Sequence, residues 1–197
     1  GHSPSGVYAD EHSIKSDYSY HEHNSTLLQN TYGTAFLNST YEIFRFTKGM
    51  DLRLTEQAAN EFANLLLDGY AFMCYKNYAS MMTLGRNVGS ADNKSLYSQD
   101  TANSIIGISE RLIQDYPNIK RKQELLGLTS RTKHPESTPN MHRCRYFWHS
   151  DFLSHNREDY QFTVHAVSKR LKRPESILKK NLLGMFLGDG CYNLLKR

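Results

Sequence analysis

Cysteine is scarce in this chain of 197 residues: Cys74, Cys144 and Cys191 stand far apart. No CxxC pair occurs, which argues against a structural zinc site, and the odd count leaves a free thiol whatever disulfide forms. Long apolar runs are absent too. None reaches membrane-spanning length, so no membrane partner is expected. A dense basic stripe is also missing. With 24 Lys and Arg against 20 Asp and Glu the net charge is +4, and the basic residues are scattered until about Arg157. That balance tolerates a polyanionic ligand without demanding one, and it does not read as a nucleic-acid domain. There is no signal peptide and no internal repeat. The opening Gly1-His2-Ser3 reads as a tag remnant, and a mature exported protein would look the same.

What is present is a chain that folds. Hydrophobic residues make up 39% and aromatics are spread throughout, enough for one good core or two small ones. From about Thr34 to Leu128 the apolar spacing is helical. Phe36, Ile43 and Phe44 fit one stripe before Gly49. Ala59, Phe62, Leu66, Tyr70 and Met73 fit a longer one after Thr55, a natural N-cap. Ile105, Ile108, Leu112 and Tyr116 make a third, closed by Pro117, and a shorter helix over 120–126 is expected to stop at Gly127. Residues 129–140 carry two prolines, several hydroxyls and no apolar side chain, and read as a linker. Beyond them the period shifts toward two. Phe162, Val164 and Ala166 alternate with Gln161, Thr163 and His165, a half-buried strand, and residues 184–195 read as two short strands around Gly188-Asp189-Gly190. Helices followed by strands predict an α+β chain, with a helical part over 1–128, a linker over 129–140 and a β part over 141–197. Each part is small for a core of its own, which points to a piece of something larger.

The residues able to carry chemistry begin in "SDYSYHEHNSTLLQNTYG". His23 and Tyr32 are nine apart; on one helix they would face opposite ways, so a loop or broken helix must separate them if they cooperate. A tyrosine acts as a base only when its phenolate is stabilised, because the free group titrates near 10. A neighbouring arginine does this, and Arg86, in the glycine-flanked "LGRNVGS", is the candidate. A metal reading rests on His21-x-His23 with Glu22, His12 or His2 as a third ligand, since that spacing shares a face only on a strand. In the β part, His142 to Asp159 mixes His, Arg and aromatics, and Trp148 is the candidate for stacking on a sugar, with a place in the core as the bland alternative. Asn24, Asn38 and Asn93 head glycosylation sequons, short enough to arise by chance.

Three stretches, in order, resemble polysaccharide lyase family 8, which includes hyaluronate, chondroitin AC and xanthan lyases. The first matches at Asp17, Ser19, Tyr20, His23, Tyr32 and Gly33. The second, "GRNVGS", is similar to the family's G-R-x-x-S-R loop. The third matches an early β-domain stretch at Arg157, Ser168, Arg170, Glu175, Asn181, Gly184, Phe186, Gly188, Asp189 and Gly190. The resemblance implies the C-terminal part of an incomplete (α/α) toroid followed by the beginning of an antiparallel β-sandwich, with a cleft between. It implies that the rest of a longer lyase polypeptide is the chain's partner, that the substrate is an acidic, uronate-containing polysaccharide, and that no cofactor or metal is needed. A secreted or periplasmic location goes with such a substrate.

By resemblance His23 and Tyr32 are the catalytic histidine and tyrosine, and Arg86 the neighbouring arginine. The expected reaction is β-elimination beside a uronate carboxylate, with Tyr32 as base and then acid. Tyr20, Asn87, Lys180 and Asn181 are expected to meet the substrate, and Tyr18 to pack or line the cleft. Three departures stand out. The family's carboxylate-neutralising asparagine lies upstream of the histidine, and no Asn precedes His23. The loop's second arginine aligns with Ser90. An acidic residue of the β part aligns with Lys180, which would restore the lost positive charge. The alternatives are a non-catalytic relative that binds acidic polysaccharides, a metal-dependent hydrolase on His21 and His23, and a purely structural helical module.

Overall fold

The computed structural model of the chain describes residues 12–89, 94–169, 171–173, 176, 181–182 and 190–196. A small antiparallel sheet comes first, of β1 (Ser13–Ile14), β2 (Tyr20–Glu22) and β3 (Thr26–Leu27). Helix α1 (Tyr32–Thr47) and helix α2 (Glu56–Asn64) follow, and α2 runs through a π-helical turn, Leu65–Tyr70, into α3 (Ala71–Met73). A short hairpin, β4 (Cys74–Tyr75) and β5 (Tyr78–Ala79), leads to 3-10 turns at Met81–Thr83 and Gly85–Gly89. Then come α4 (Lys94–Asp115) and α5 (Lys122–Lys133). Strands β6 (Cys144–Phe147), β7 (Phe152–Arg157), β8 (Tyr160–His165) and β9 (Cys191–Lys196) form one antiparallel sheet in chain order. This is the expected α+β sequence of a helical part followed by strands. The first of the two strands expected around Gly188-Asp189-Gly190 lies outside the described residues; β9 is the second.

The helical core gathers the expected stripes. Ala59, Phe62, Leu66, Tyr70, Ile105, Ile108 and Leu112 are buried with Leu37, Phe44, Leu125 and Leu128. Thr55 caps α2, its Oγ1 accepting from the Ala58 N–H at 3.2 Å. Helix α1 follows expectation only in part: Phe44 faces inward as expected, joined by Leu37, while Phe36 and Ile43 are exposed. The last helix also differs. Gly127 does not stop it; α5 continues to Lys133, because its inward face goes on being buried through Leu128, Thr129 and Thr132, the two threonine hydroxyls bonding within the helix to the Leu125 and Leu128 carbonyls at 2.9 Å. No disulfide links the cysteines: Cys74 is buried, Cys144 exposed and Cys191 half-buried.

The four-stranded sheet inverts the face that alternation assigns to the core. Gln161, Thr163 and His165 are buried, and Phe162 and Val164 are only half-buried. The polar face turns inward because it lies across the end of α3, where helix carbonyls lack partners. Gln161 Nε2 donates to the Phe72 and Cys74 carbonyls, both at 3.2 Å, and to Asn156 Oδ1 at 2.9 Å. Around these bonds Leu27, Phe72, Met73 and Met82 of the helical part share a core with Phe147 and Phe152 of the sheet. The outward face carries Phe162 and Val164 beside the exposed Tyr192 and Leu194. A second bare apolar region runs along α1 and the following loop through Phe36, Ile43, Phe46, Met50 and Leu52. It flanks a cavity of about 580 Å³ lined by Ile14, Tyr18, Phe44, Phe62 and Leu65 among others.

The π-helical turn brings backbone against backbone. A Cβ at Gly69 would stand 2.7 Å from the Tyr18 carbonyl oxygen and 3.2 Å from its Cβ. Alanine would gain about 1 kcal/mol of helix propensity there, but displacing a backbone carbonyl in a packed site costs roughly 1–3 kcal/mol. Gly69→Ala is therefore expected to lower the unfolding free energy by about 1 kcal/mol net, read as a lower urea midpoint. An unchanged or raised midpoint would show that the Tyr18 segment moves aside freely.

Candidate active site

The hairpin between β2 and β3 turns through three consecutive left-handed residues, His23 (φ 52°), Asn24 (φ 61°) and Ser25 (φ 68°). Asparagine tolerates this region; histidine and serine do so at a cost of about 1–2 kcal/mol each. Such strain persists only where neighbours hold it in place. Here the antiparallel pairs His21 with Leu27 and Glu22 with Thr26 close the hairpin, and the Lys172 N–H donates to the Ser25 carbonyl at 3.3 Å. The turn projects His23 toward the start of α1, whose first residue is Tyr32. Loop and helix together thus let two residues nine apart meet. Their ring centroids lie 4.6 Å apart.

Gly33 makes that approach feasible. A Cβ there would meet the Tyr70 hydroxyl at 3.0 Å, the Leu28 carbonyl at 3.2 Å and the Tyr20 Cβ at 3.2 Å. Its N–H donates to the Leu28 carbonyl at 3.0 Å, and its own carbonyl accepts from the buried Tyr70 hydroxyl. The first turn of α1 is thereby pinned from both sides.

Arg86 joins the pair. It stands in the 3-10 turn Gly85–Gly89, where Nη2 donates to Tyr32 Oη at 3.0 Å and Nη1 faces His23 Nδ1 at 3.2 Å. A guanidinium only donates, so Nδ1 is the acceptor and the His23 proton sits on Nε2. Nε2–H is then a donor aimed away from the arginine. Tyr32 is 36% exposed, so its oxygen can meet a solvent-borne ligand. The arrangement can hold a negative charge on the phenolic oxygen and offer an N–H to an anion beside it.

Behind the hairpin lies a polar joint between the two parts. Asp17 is fully buried; its Oδ1 accepts from the Ser19 N–H at 3.0 Å and the Ser19 hydroxyl at 2.6 Å, and its Oδ2 from the His149 N–H at 2.8 Å. His21 Nε2 bonds Ser150 Oγ at 2.7 Å, and His21 Nδ1 is buried without a hydrogen-bond partner. Burial, reinforced by the nearby Lys15, holds the His21 imidazole far below its ordinary value, to about 3, against the weaker upward pull of Asp17. Burial likewise lowers His165 to about 4.

The remaining sequence candidates fall in varied places. Tyr20 is buried, its hydroxyl donating to Glu22 Oε2 at 2.6 Å. Tyr18 is half-buried and donates to Glu61 at 3.2 Å. Asn87 is half-buried in the Arg86 turn, and Asn181 is half-buried with φ 55°. Lys180, Ser90, Arg170 and Glu175 lie outside the described residues. Trp148 is 49% exposed, so it is not a core residue. The metal reading does not match the geometry: His21 serves Ser150, His23 faces Arg86, and Glu22 is engaged by His12 and Tyr20. Among the described residues no three His, Cys, Asp or Glu side chains gather as a metal site. Sequence reasoning missed the left-handed run, for which "HNS" was the only signal, and the contact of residue 172 with the hairpin, for which there was none.

The same order of parts recurs in known proteins. The family model for the polysaccharide lyase family 8 N-terminal α-helical domain matches residues 7–123, and that for the family 8 super-sandwich domain matches 142–197. A chondroitinase-AC of Pedobacter heparinus is 27% identical over 192 residues, which are 95% of this chain and 26% of that protein. A chondroitinase AC lyase solved in oligosaccharide complexes superposes with a TM-score of 0.74 at 23% identity, over 98% of this chain and 28% of that one. A Paenibacillus xanthan lyase gives 0.72 at 17% identity, over 98% and 21%. A Streptomyces coelicolor A3 chondroitin AC lyase, in complex with chondroitin sulphate, gives 0.72 at 17%, over 95% and 30%. This chain spans about a quarter of the curated relative's length.

The joint has a pH signature. His21 is lowered from 6.5 to about 3 on folding, so the unfolded chain takes up its proton first as pH falls. The stability His21 contributes is complete above about pH 6.5 and is lost as pH falls toward 3, by up to about 1.4 kcal/mol per pH unit. His21→Gln keeps a donor for Ser150 and is expected to flatten that slope between about pH 6.5 and pH 5 in urea unfolding. An identical slope in parent and variant would remove His21 from the account.

Proposed function

The chain belongs to polysaccharide lyase family 8, and from that premise we propose that it is the cleft-bearing segment of a lyase that cleaves a uronic-acid-containing polysaccharide by β-elimination. The observation that carries the reading is the single guanidinium of Arg86 touching both His23 Nδ1 and Tyr32 Oη. In a uronate unit the C5 proton becomes removable once the neighbouring carboxylate is neutralised. His23 Nε2–H, with its tautomer set by Arg86, donates to that carboxylate. Tyr32, its phenolate held by Arg86, takes the C5 proton. The C5 electron pair forms the C4–C5 double bond as the C4–O4 bond breaks, and the Tyr32 hydroxyl returns a proton to the departing O4. One product carries a 4,5-unsaturated uronate and the other a new reducing end. Nothing in this sequence needs an electrophile beyond the chain's own donors.

The proposal includes the remainder of a longer lyase polypeptide as partner. It is supported by the two bare apolar faces, on α1 and on the outer side of the sheet, and by the quarter of the Pedobacter relative that the chain spans. An intact uronate polymer does not enter a cell, so the proposed place of action is secreted or periplasmic.

Ultraviolet absorbance of the unsaturated uronate tests this directly. On a panel of chondroitin, hyaluronan and xanthan-type polymers, the parent is expected to give a rising trace on at least one. Tyr32→Phe should lose at least about 10³-fold in kcat with its circular dichroism unchanged. Arg86→Lys keeps charge but cannot reach both partners, and is expected to lose about 10²-fold. A flat trace on every polymer, with binding retained, would replace the lyase reading with that of a non-catalytic relative.

A further inference from the structure

Three separate segments must be held in register for Arg86 to meet His23 and Tyr32 at once, and contacts of 3.2 and 3.0 Å leave little room for error. A buried side chain that takes no part in the chemistry lies between two of these segments. Asn30 stands two residues before Tyr32 and is 1% exposed. Its Nδ2 donates to the Thr83 hydroxyl at 2.6 Å and to the Met73 carbonyl at 2.9 Å, and its Oδ1 accepts from the Cys74 thiol at 3.5 Å. Its N–H donates to the Thr83 carbonyl at 3.3 Å. Thr83 stands three residues before Arg86 and passes the bond on, its hydroxyl donating to the Ser80 carbonyl at 2.7 Å. The start of α1 and the turn that carries Arg86 are thus clamped through one amide and one hydroxyl. Packing tightens the clamp: Gly85 has φ 56°, and a Cβ there would lie 2.2 Å from Leu28 Cδ2. The neighbouring Gln29, fully buried, ties in the third segment, its Oε1 accepting from the Tyr20 N–H at 2.7 Å where β2 begins.

We propose that Asn30 is a positioning residue for the His23, Tyr32 and Arg86 trio: through Thr83 it fixes the Arg86 turn against the first turn of α1, so that one guanidinium reaches His23 Nδ1 and Tyr32 Oη together. Its effect on rate rests on the lyase reading of that trio. Asn30 does not touch a substrate, since it is buried and its amide is engaged. An apolar side chain of its size would fill the space without specifying the direction of any bond. A buried amide with both polar atoms bonded instead holds its partners in one arrangement. A misplacement of about 1 Å is enough to cost about 10²-fold in rate. A shift of that size at Arg86 would also part Nη1 from His23 Nδ1, and the contact that selects the Nε2–H tautomer of His23 would go with it.

Two readouts test this, and one of them needs no turnover. In the whole chain with isotope-labelled histidine, the ring nitrogen chemical shifts report the His23 tautomer at about pH 8, where imidazoles are neutral, and His23→Gln identifies the signals. The parent is expected to show the Nε2–H form. Asn30→Ala should move His23 toward a mixture of the two tautomers, and so should Thr83→Val, which keeps the shape and removes the hydroxyl. Thr83→Ser should match the parent. On the uronate polymer that the parent cleaves, Asn30→Ala and Thr83→Val should each lose about 10- to 10²-fold in kcat with KM within about threefold. The double variant should be no worse than the worse single one, because both break the same link. Ile108→Val, a small cavity in the helical core, should lower the urea midpoint while leaving tautomer and kcat unchanged, so that lost stability alone is not the cause. If Asn30→Ala does not fold, Thr83→Val decides. A tautomer that stays put in the folded variants, or a kcat within about threefold of the parent's, would overturn the assignment. A tautomer that moves as expected in a chain that cleaves no polymer would uphold the clamp and sink the lyase reading; unsaturated product from a parent whose variants keep its tautomer would do the reverse.

Discussion

A carboxylate removed from water must be met by donors or it destabilises the fold by several kcal/mol. Asp17 is met by three: the Ser19 N–H and hydroxyl from its own segment, and the His149 N–H from the turn between β6 and β7. Two of these shape the entry into β2 and the third ties that entry to the sheet. The next inward residue of β2, His21, repeats the tie through Ser150. Two residues further on stands His23. The position of the imidazole in the site is thus set by a polar joint between the helical and β parts rather than by either part alone.

Around that joint the candidate trio is assembled from three separate segments. The hairpin contributes His23, the first residue of α1 contributes Tyr32, and a 3-10 turn contributes Arg86. No short helix or strand could present the three together, and the cost appears as left-handed backbone at His23 and Ser25. Close packing absorbs it. Tyr70, carried on a π-helical turn, reaches under α1 to the Gly33 carbonyl, and a Cβ at Gly33 would crowd Tyr70, Leu28 and Tyr20 at 3.0–3.2 Å. Preorganisation of this kind is what the proposed role of Tyr32 as base requires, because the guanidinium must already be in place when the proton moves.

The four-stranded sheet explains how a small β part can stand on a helical one. The inner face of β8 is polar because it must satisfy the carbonyls at the end of α3, which Gln161 does with one amide group. The apolar residues of β8 are consequently displaced to the outer face, where Phe162 and Val164 meet Leu194 and Tyr192, while Phe147 and Phe152 of β6 and β7 stay in the shared core. Together with the bare face of α1, this leaves apolar surface exposed on both the helical and the β part, in a chain that covers only a fraction of the Pedobacter relative's length.

Much of this was legible in the residues. Helical spacing located α2 and α4 and their buried stripes, since a helix of this length buries whatever recurs at its own period. The change of period marked the passage from helices to strands. The ordered motifs singled out His23, Tyr32 and Arg86, which the fold brings together with Arg86 within bonding distance of both others. Other features needed the tertiary structure. Phe36 and Ile43 look like core by spacing along with Phe44, yet α1 buries only Phe44 of the three and adds Leu37, because which side of a helix is covered depends on its neighbours. Gly127 looks like a stop, but burial of Leu128, Thr129 and Thr132 beyond it carries α5 on. Alternation in β8 showed a two-faced strand without showing which face is inside, because that is decided by what lies beneath it. Local sequence determined periodicity, turns and the identity of reactive groups, which depend on near neighbours along the chain. Tertiary structure decided burial, facing and charge environment, which depend on residues far away in sequence.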